Sequence, residues 1–256
     1  MNRTAPTAPG DLTATPAAGR LGVIAFFDVD ETLLAAKTML DFWDFWAGSG
    51  IWPIPAHVPD LRARAAAGVD RGTLNREYYR RFAGVPLGTL RSAARAWYDT
   101  HRRGARAFVT AGIEAVERHR AQNHEVVLVS GSLRPLLEAV AEDLGGAEVR
   151  CAEQLVTDEG VLTGEIDRPM IGQAKADAVS AVVHARGARG SDCYAYGDHE
   201  SDLAMLRSVG HPVVVGGSAA LAREAARAGW AVLGGQVGPR AHGRTSGPPV
   251  PASGNG

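Results

Sequence analysis

The sequence is poor in cysteine and carries almost no net charge. Only Cys151 and Cys193 occur in 256 residues. They lack any metal-ligand spacing, and each sits in an apolar, strand-like segment, which points to two reduced core thiols rather than a disulfide. The 27 basic and 28 acidic residues leave a formal charge of −1, so no global field draws the chain to nucleic acid or to an anionic membrane surface. No stretch reaches the roughly 18 apolar residues of a membrane span. The N-terminus has Arg3 but lacks the apolar run of a secretory leader. No internal repeat is present. These absences leave a cytoplasmic globular protein as the expectation, with monomer and homodimer both open.

Hydrophobic residues make up 45% and charged residues 21%, enough to bury one large core. Residues 1–19 are Ala/Thr/Pro-rich and residues 234–256 Gly/Pro/Ser-rich; both are expected to be disordered tails. Between them, apolar runs at Leu21–Phe27, Glu125–Val129, Asp192–Tyr196 and Pro212–Val215 predict buried strands, and "WAVL", Trp230–Leu233, a short edge strand. Helical patterns cover Phe108–Gln122, Leu133–Leu144, Gln173–Arg186, Asp202–Ser208 and Ala219–Ala228. This alternation predicts the α/β class, a doubly wound parallel sheet over residues 20–35 and 106–233. Residues 36–105 interrupt it with helical stretches such as Thr38–Ala47 and Leu87–Arg103 and no convincing strand. They read as an α-helical cap inserted after the first strand. The segment "LVTDEGVLTGEI", 155–166, alternates around Asp158-Glu159-Gly160 and predicts a β-hairpin.

In sheets of this kind ligands bind beyond the carboxyl ends of the strands. Asp28, Ser130 and Asp198 each follow such an end, so three polar groups distant in sequence converge on one crevice. Asp28 and Asp30, two apart, would be costly to bury unpaired; with Asp198 and Asp202 they form an oxygen-rich set suited to Mg²⁺. Any one of these acids alone also reads as a helix cap or turn residue. Ser130-Gly131-Ser132 joins a strand to a helix with Pro135 in its first turn, which suits either phosphate binding or a plain N-cap. Lys175, just after Gly172, is either a counter-ion to the acids or a solvated lysine.

Taken together, "DVDET" (28–32), "VSGS" (129–132), Lys175 and "GDHESD" (197–202) resemble the four motifs of haloacid dehalogenase-like hydrolases in order, spacing and strand-end placement. The long helical insert resembles the cap of the phosphoserine phosphatase-like branch. The resemblance covers roughly residues 21–233 and implies a Rossmann-like core and a Mg²⁺-dependent phosphatase acting on a small-molecule phosphate ester. It assigns Asp28 as the nucleophile that forms an aspartyl-phosphate and Asp30 as the acid/base. Thr32 would support the turn, and Ser130 with the Gly131 N–H would hold phosphate oxygens. Lys175 would neutralise charge. The Asp28 carboxylate, the Asp30 backbone carbonyl and Asp198 would bind the metal, and Asp202 would orient its waters or Lys175. The acid at Asp30 favours phosphatases and phosphomutases over dehalogenases, which lack one there, and ion-pumping ATPases, which have Thr. A phosphomutase, or a binding protein that keeps the fold without turnover, remains a further option.

Two departures bear on substrate. Phosphoserine phosphatases carry a Glu nine residues after the nucleophile, where it binds the substrate ammonium. Here that position is Lys37, which would instead attract an anionic group or else point to solvent. Phosphoserine itself is therefore disfavoured. His199, where many members have Ser, is assigned to the rim of the metal site rather than to ligation. In the insert, Met39, Phe42, Trp43 and Trp46 share one helix face. They form either the core of the cap or an apolar gate, the latter keeping a phospholipid head-group substrate open.

Overall fold

The computed structural model describes residues 22–54 and 58–240. The expected tail at 1–19, and 241–256 of the expected C-terminal tail, lie outside the described residues. Strand β1 (Ile24–Phe27) is a buried apolar run. It leads into four helices, α1 (Thr38–Ser49), α2 (Leu61–Ala66), α3 (Arg71–Arg80) and α4 (Leu87–His101). A two-residue strand β2 (Phe108–Val109) follows, and the rest of the chain supplies the remaining strands with helices between most of them. The order is α5 (Thr110–Ala121), β3 (Glu125–Val129), α6 (Arg134–Asp143), β4 (Glu148–Arg150), β5 (Gln154–Val156), β6 (Leu162–Ile166), α7 (Gln173–Ala185), β7 (Tyr194–Gly197), α8 (Leu203–Leu206), β8 (His211–Val215), α9 (Ala219–Ala228), β9 (Ala231–Leu233) and β10 (Val237–Gly238).

Six strands form one sheet in the order β4-β3-β1-β7-β8-β9. Every pairing in it is parallel. The alternation of side chains along β1 divides the core. Ala25 and Phe27 face a cluster that includes Val116 of α5 and Leu136 of α6. Ile24 and Phe26 face Val179 and Val182 of α7, Leu206 of α8 and Leu221 of α9. Helices thus cover both faces, as a parallel sheet requires. Among the described residues no helix is long and apolar enough to cross a membrane.

The inserted helices carry their own aromatic core. Phe42 and Trp46 of α1 are fully buried and pack against Phe82, and Phe42 also meets Trp97 edge-on. Phe42 and Trp46 thus fill the inside of the insert, as the core reading expects, whereas Met39 and Trp43 on the same helix face are only half-buried. Helix α4 leans on α6, where Tyr98 donates to Asp143 at 2.9 Å and Arg102 pairs with the same carboxylate. The hairpin β5–β6 is antiparallel, with Gly160 at φ +77 in its turn. It extends onto the insert, where Gly84 N–H donates to Leu162 O, Leu162 N–H to Val85 O and Leu87 N–H to Gly160 O, at 2.8–2.9 Å.

Two expectations change, and one strand is added. The helix predicted from Phe108 starts at Thr110, because Phe108 and Val109 pair with β10. That pairing also moves the tail expected from 234. Thr110 N–H donates to Gln236 O at 2.9 Å, and Arg240 donates to Asp143 O at 2.6 Å. Backbone groups and one arginine hold a segment whose Gly-rich composition offers little to bury. The short strand β4 joins the sheet edge through Val127–Val129, although its Glu-Val-Arg sequence has no apolar run.

Two positions tie α5 to the rest. A Cβ on Gly112 would lie 2.0 Å from the Thr32 carbonyl oxygen, and backbone cannot step aside. His119, buried, meets the Tyr196 hydroxyl through Nε2 and His124 Nδ1 through its own Nδ1, both at 2.8 Å. Burial, then the neighbouring His124 and Arg118 charges, push His119 down to about 4. The Gly112→Ala variant should lose about 1–3 kcal/mol of unfolding free energy, read from urea melts. The neutral His119 contributes stability in full above its ordinary value of 6.5, and that contribution disappears as pH falls toward 4. The urea midpoint should drop over this window, and His119→Gln should flatten the slope.

Candidate active site

The carboxyl ends of β1, β3 and β7 lie side by side because those strands are neighbours in the sheet. Asp28 follows β1, and its N–H donates to Tyr196 O of β7 at 2.9 Å, prolonging the ladder by one residue. Its carboxylate is buried and receives Lys175 Nζ at 2.5 Å. Lys175 also donates to Asp202 Oδ1 at 2.6 Å. The lysine reaches this point because Gly172, at φ +58, turns the chain into α7. Asp202 is carried back to the site by a tight turn after β7, in which His199 N–H donates to Asp202 Oδ2 at 3.2 Å and Ser201 N–H to His199 Nδ1 at 3.0 Å. Gly197 lets this turn close: a Cβ there would come within 2.7 Å of the Asp202 Cβ.

Burial raises Asp28 well above the ordinary carboxylate range; Lys175 opposes this, and Asp202, Asp30 and Asp198 add to it. Burial alone would lower Lys175, but Asp202 and Asp28 outweigh it and hold the ammonium charged. Asp198 is pushed up to about 7, mainly by burial and then by Asp202 and Glu31. Asp30 rises to about 6 through burial, against hydrogen bonds from Thr38.

Asp28, Asp198 and Asp202 each present a carboxylate oxygen within 4.8 Å of the others. Hard, anionic oxygens at this spacing fit a small divalent cation such as Mg²⁺. Both Asp202 oxygens already accept hydrogen bonds, whereas Asp198 Oδ1 accepts a long one, from the Thr32 hydroxyl at 3.4 Å. Asp28 and Asp198 are thus the freer pair of ligands.

The cavity at this end of the sheet measures about 510 Å³, within the range of small-molecule sites. Asp28, Asp30, Ser130, Gly131, Lys175 and Asp198 line its floor, and Met39, Leu61, Leu74 and Ile171 supply apolar wall. Ser130 is buried and accepts from Ser132 N–H at 3.2 Å, just ahead of α6 with Pro135 in its first turn.

The acids, Ser130, Gly131 and Lys175 named from sequence all meet here. Lys37 also lines the cavity, but it pairs with Glu31 and both are largely exposed. Glu31 adopts a left-handed backbone, φ 56, that turns it back toward the lysine. The charge assigned to Lys37 is therefore partly answered from within the chain. His199 stands at the rim, its ring nitrogens 3.1 and 3.3 Å from Arg71 Nη1; burial and then Arg71 keep it below its ordinary value.

Sequence reasoning missed Thr38. Its N–H and hydroxyl bond Asp30 at 3.1 and 2.6 Å, and its Oγ1 lies 2.6 Å from Ser132 Oγ. A threonine opening a helix resembles any other N-terminal residue in one dimension. Asn75 and Tyr79 of α3 were also missed. Both are buried against the Ser130–Ser132 loop, and their spacing of four is that of an ordinary helix core face.

Residues 25–207 match the family model of haloacid dehalogenase-like hydrolases. The chain is 30% identical over 222 residues, 82% of its length and 77% of the relative's, to an inhibition of morphological differentiation protein of Streptomyces azureus. It is 31% identical over 191 residues, 74% and 83% of the two chains, to a phosphoserine phosphatase of Halobacterium salinarum. A solved structure of a Bordetella pertussis Tohama I protein of unknown function superposes with a TM-score of 0.73 at 22% identity, covering 83% of this chain and 98% of that one.

Removing one partner of a buried ion pair strands the other. Lys175→Met should lower the unfolding free energy by about 3–5 kcal/mol in metal-free buffer, measured by urea denaturation at pH 7.

Proposed function

Because the chain belongs to the haloacid dehalogenase-like hydrolase family and is a phosphatase, we propose that it hydrolyses a small phosphomonoester through an aspartyl-phosphate on Asp28. The observation that carries this reading is the buried Asp28 carboxylate, held by Lys175 at the cavity floor beside the Ser130–Ser132 loop. The Asp28 carboxylate attacks phosphorus while the bond to the leaving oxygen breaks, and Asp30 gives that oxygen its proton. Asp30 then takes a proton from water, the hydroxide attacks the same phosphorus, and the bond to Asp28 breaks. Free carboxylate and inorganic phosphate result, and Asp30 ends protonated, as it began. A carboxyl near 6 serves in both directions at neutral pH. Ser130 and the Gly131 N–H receive phosphoryl oxygens at the start of α6. Lys175 offsets the charge gathered around Asp28, and Thr32 steadies Asp198.

The Asp28 and Asp198 carboxylates, with the Asp30 backbone carbonyl, would hold Mg²⁺, and Asp202 would orient Lys175. Bound there, Mg²⁺ would supply charge neutralisation at the phosphoryl oxygens.

The insert, residues 36–105, acts as the cap over a partly apolar leaving group. Phosphoserine itself is disfavoured, because Lys37, although paired with Glu31, stands where an acid would meet an ammonium. Phe42 and Trp46 are buried in the insert and do not line the cavity, so they lend no support to a lipid substrate. Two buried free thiols, Cys151 and Cys193, suit a cytoplasmic setting.

Phosphate release from p-nitrophenyl phosphate should disappear with EDTA and return with Mg²⁺. Asp28→Asn should reduce it by at least about a thousandfold, and robust turnover by pure Asp28→Asn protein would overturn the nucleophile. A panel of sugar, amino-acid, nucleotide, alcohol and lipid phosphates then sorts the substrate.

A further inference from the structure

Asn75 and Tyr79 lie four apart on α3, so both project from one helix face. The Ser130–Ser132 loop meets that face. Asn75 Nδ2 donates to Gly131 O at 3.0 Å, and the Tyr79 hydroxyl lies 3.2 Å from Gly131 O and 3.0 Å from Ser132 O. The two side chains are 3% and 1% exposed. The Asn75 amide has a forced orientation: turned over, its oxygen would oppose the Gly131 carbonyl. In the orientation seen, Asn75 Oδ1 is buried without a partner. An orphaned acceptor is costly, so the site keeps the donated bond at the expense of the other half of the amide.

A trans peptide sets its N–H opposite its C=O. Drawing the Gly131 and Ser132 carbonyls toward α3 turns the N–H groups of Ser132 and Leu133 the other way, and Ser132 N–H donates to Ser130 Oγ at 3.2 Å, which orients the hydroxyl assigned to the phosphate. Gly131 lacks a Cβ, so rotation of its peptide meets little resistance of its own. Something outside the loop has to hold it.

We propose that Asn75 and Tyr79 are positioning residues for phosphate recognition, clamping the peptide groups of the Ser130–Ser132 loop so that it holds a phosphoryl group only while the insert is seated. This rests on the reading of that loop as the phosphate site. Both residues belong to the insert, whereas the loop belongs to the sheet; the clamp makes affinity for the oxyanion depend on the insert's position.

The test is binding of inorganic phosphate to the full-length, Mg²⁺-loaded protein, followed by calorimetry. Tyr79→Phe keeps the ring and loses the hydroxyl. Asn75→Leu loses the donor together with the orphaned oxygen. Each should weaken phosphate by about fivefold, the worth of one hydrogen bond, with the Mg²⁺ affinity unchanged; the melting temperature falls modestly as the loop carbonyls lose a donor. A merely structural role would lower the melting temperature and leave the phosphate Kd of the folded protein unmoved, and that result overturns the proposal. If Tyr79→Phe does not fold, Asn75→Leu decides alone. Ser130→Ala separates the two levels. If it too leaves phosphate binding unchanged, the phosphate-site reading falls and takes the clamp with it. If it weakens phosphate while the α3 variants do not, only the clamp is lost.

Discussion

The ammonium of Lys175, 2.5 Å from Asp28 and 2.6 Å from Asp202, sits among more negative charge than it carries. All three groups are almost completely withdrawn from water. An arrangement of two carboxylates on one cation, with Asp198 close by, is stable only while its geometry is kept. Much of the local chain serves that end. Gly172 turns α7 so that Lys175 arrives, Gly197 lets Asp202 close in, and the His199 N–H occupies the second Asp202 oxygen. Carboxylate oxygens gathered this closely could hold a divalent cation.

The sheet supplies position and the insert supplies enclosure. Parallel pairing through β3, β1 and β7 brings three loops to one edge without any side chain having to reach far. The insert meets those loops through Thr38, which bonds both Asp30 and Ser132, and through α3. Asp30, the Ser130–Ser132 loop and the insert are therefore joined by short polar contacts rather than by apolar packing alone.

The central strands were legible because each is buried on both faces, so the apolar run is unbroken in sequence. Strand β4 was not, since an edge strand keeps its polar residues, and β2 and β10 are two-residue strands defined by pairing across the fold. At the site, Asp28, Asp198 and Lys175 could be named from their order and from their place at strand ends or a helix start. Thr38, Asn75 and Tyr79 could not, because what marks them is the neighbour they touch across the fold. Lys37 was legible as a charge but not as a pair: its partnership with Glu31 depends on the left-handed turn at Glu31, which an acidic residue does not advertise.

The hairpin β5–β6 leaves the core between β4 and α7, yet its backbone hydrogen bonds run to residues 84–87 of the insert. A displacement of the insert that preserves those bonds has to take the hairpin along. The chain then crosses between the stationary and the moving body four times, near residues 35, 106, 152 and 168, rather than twice. Four connections tie the insert and hairpin to the sheet, where two would tie the insert alone.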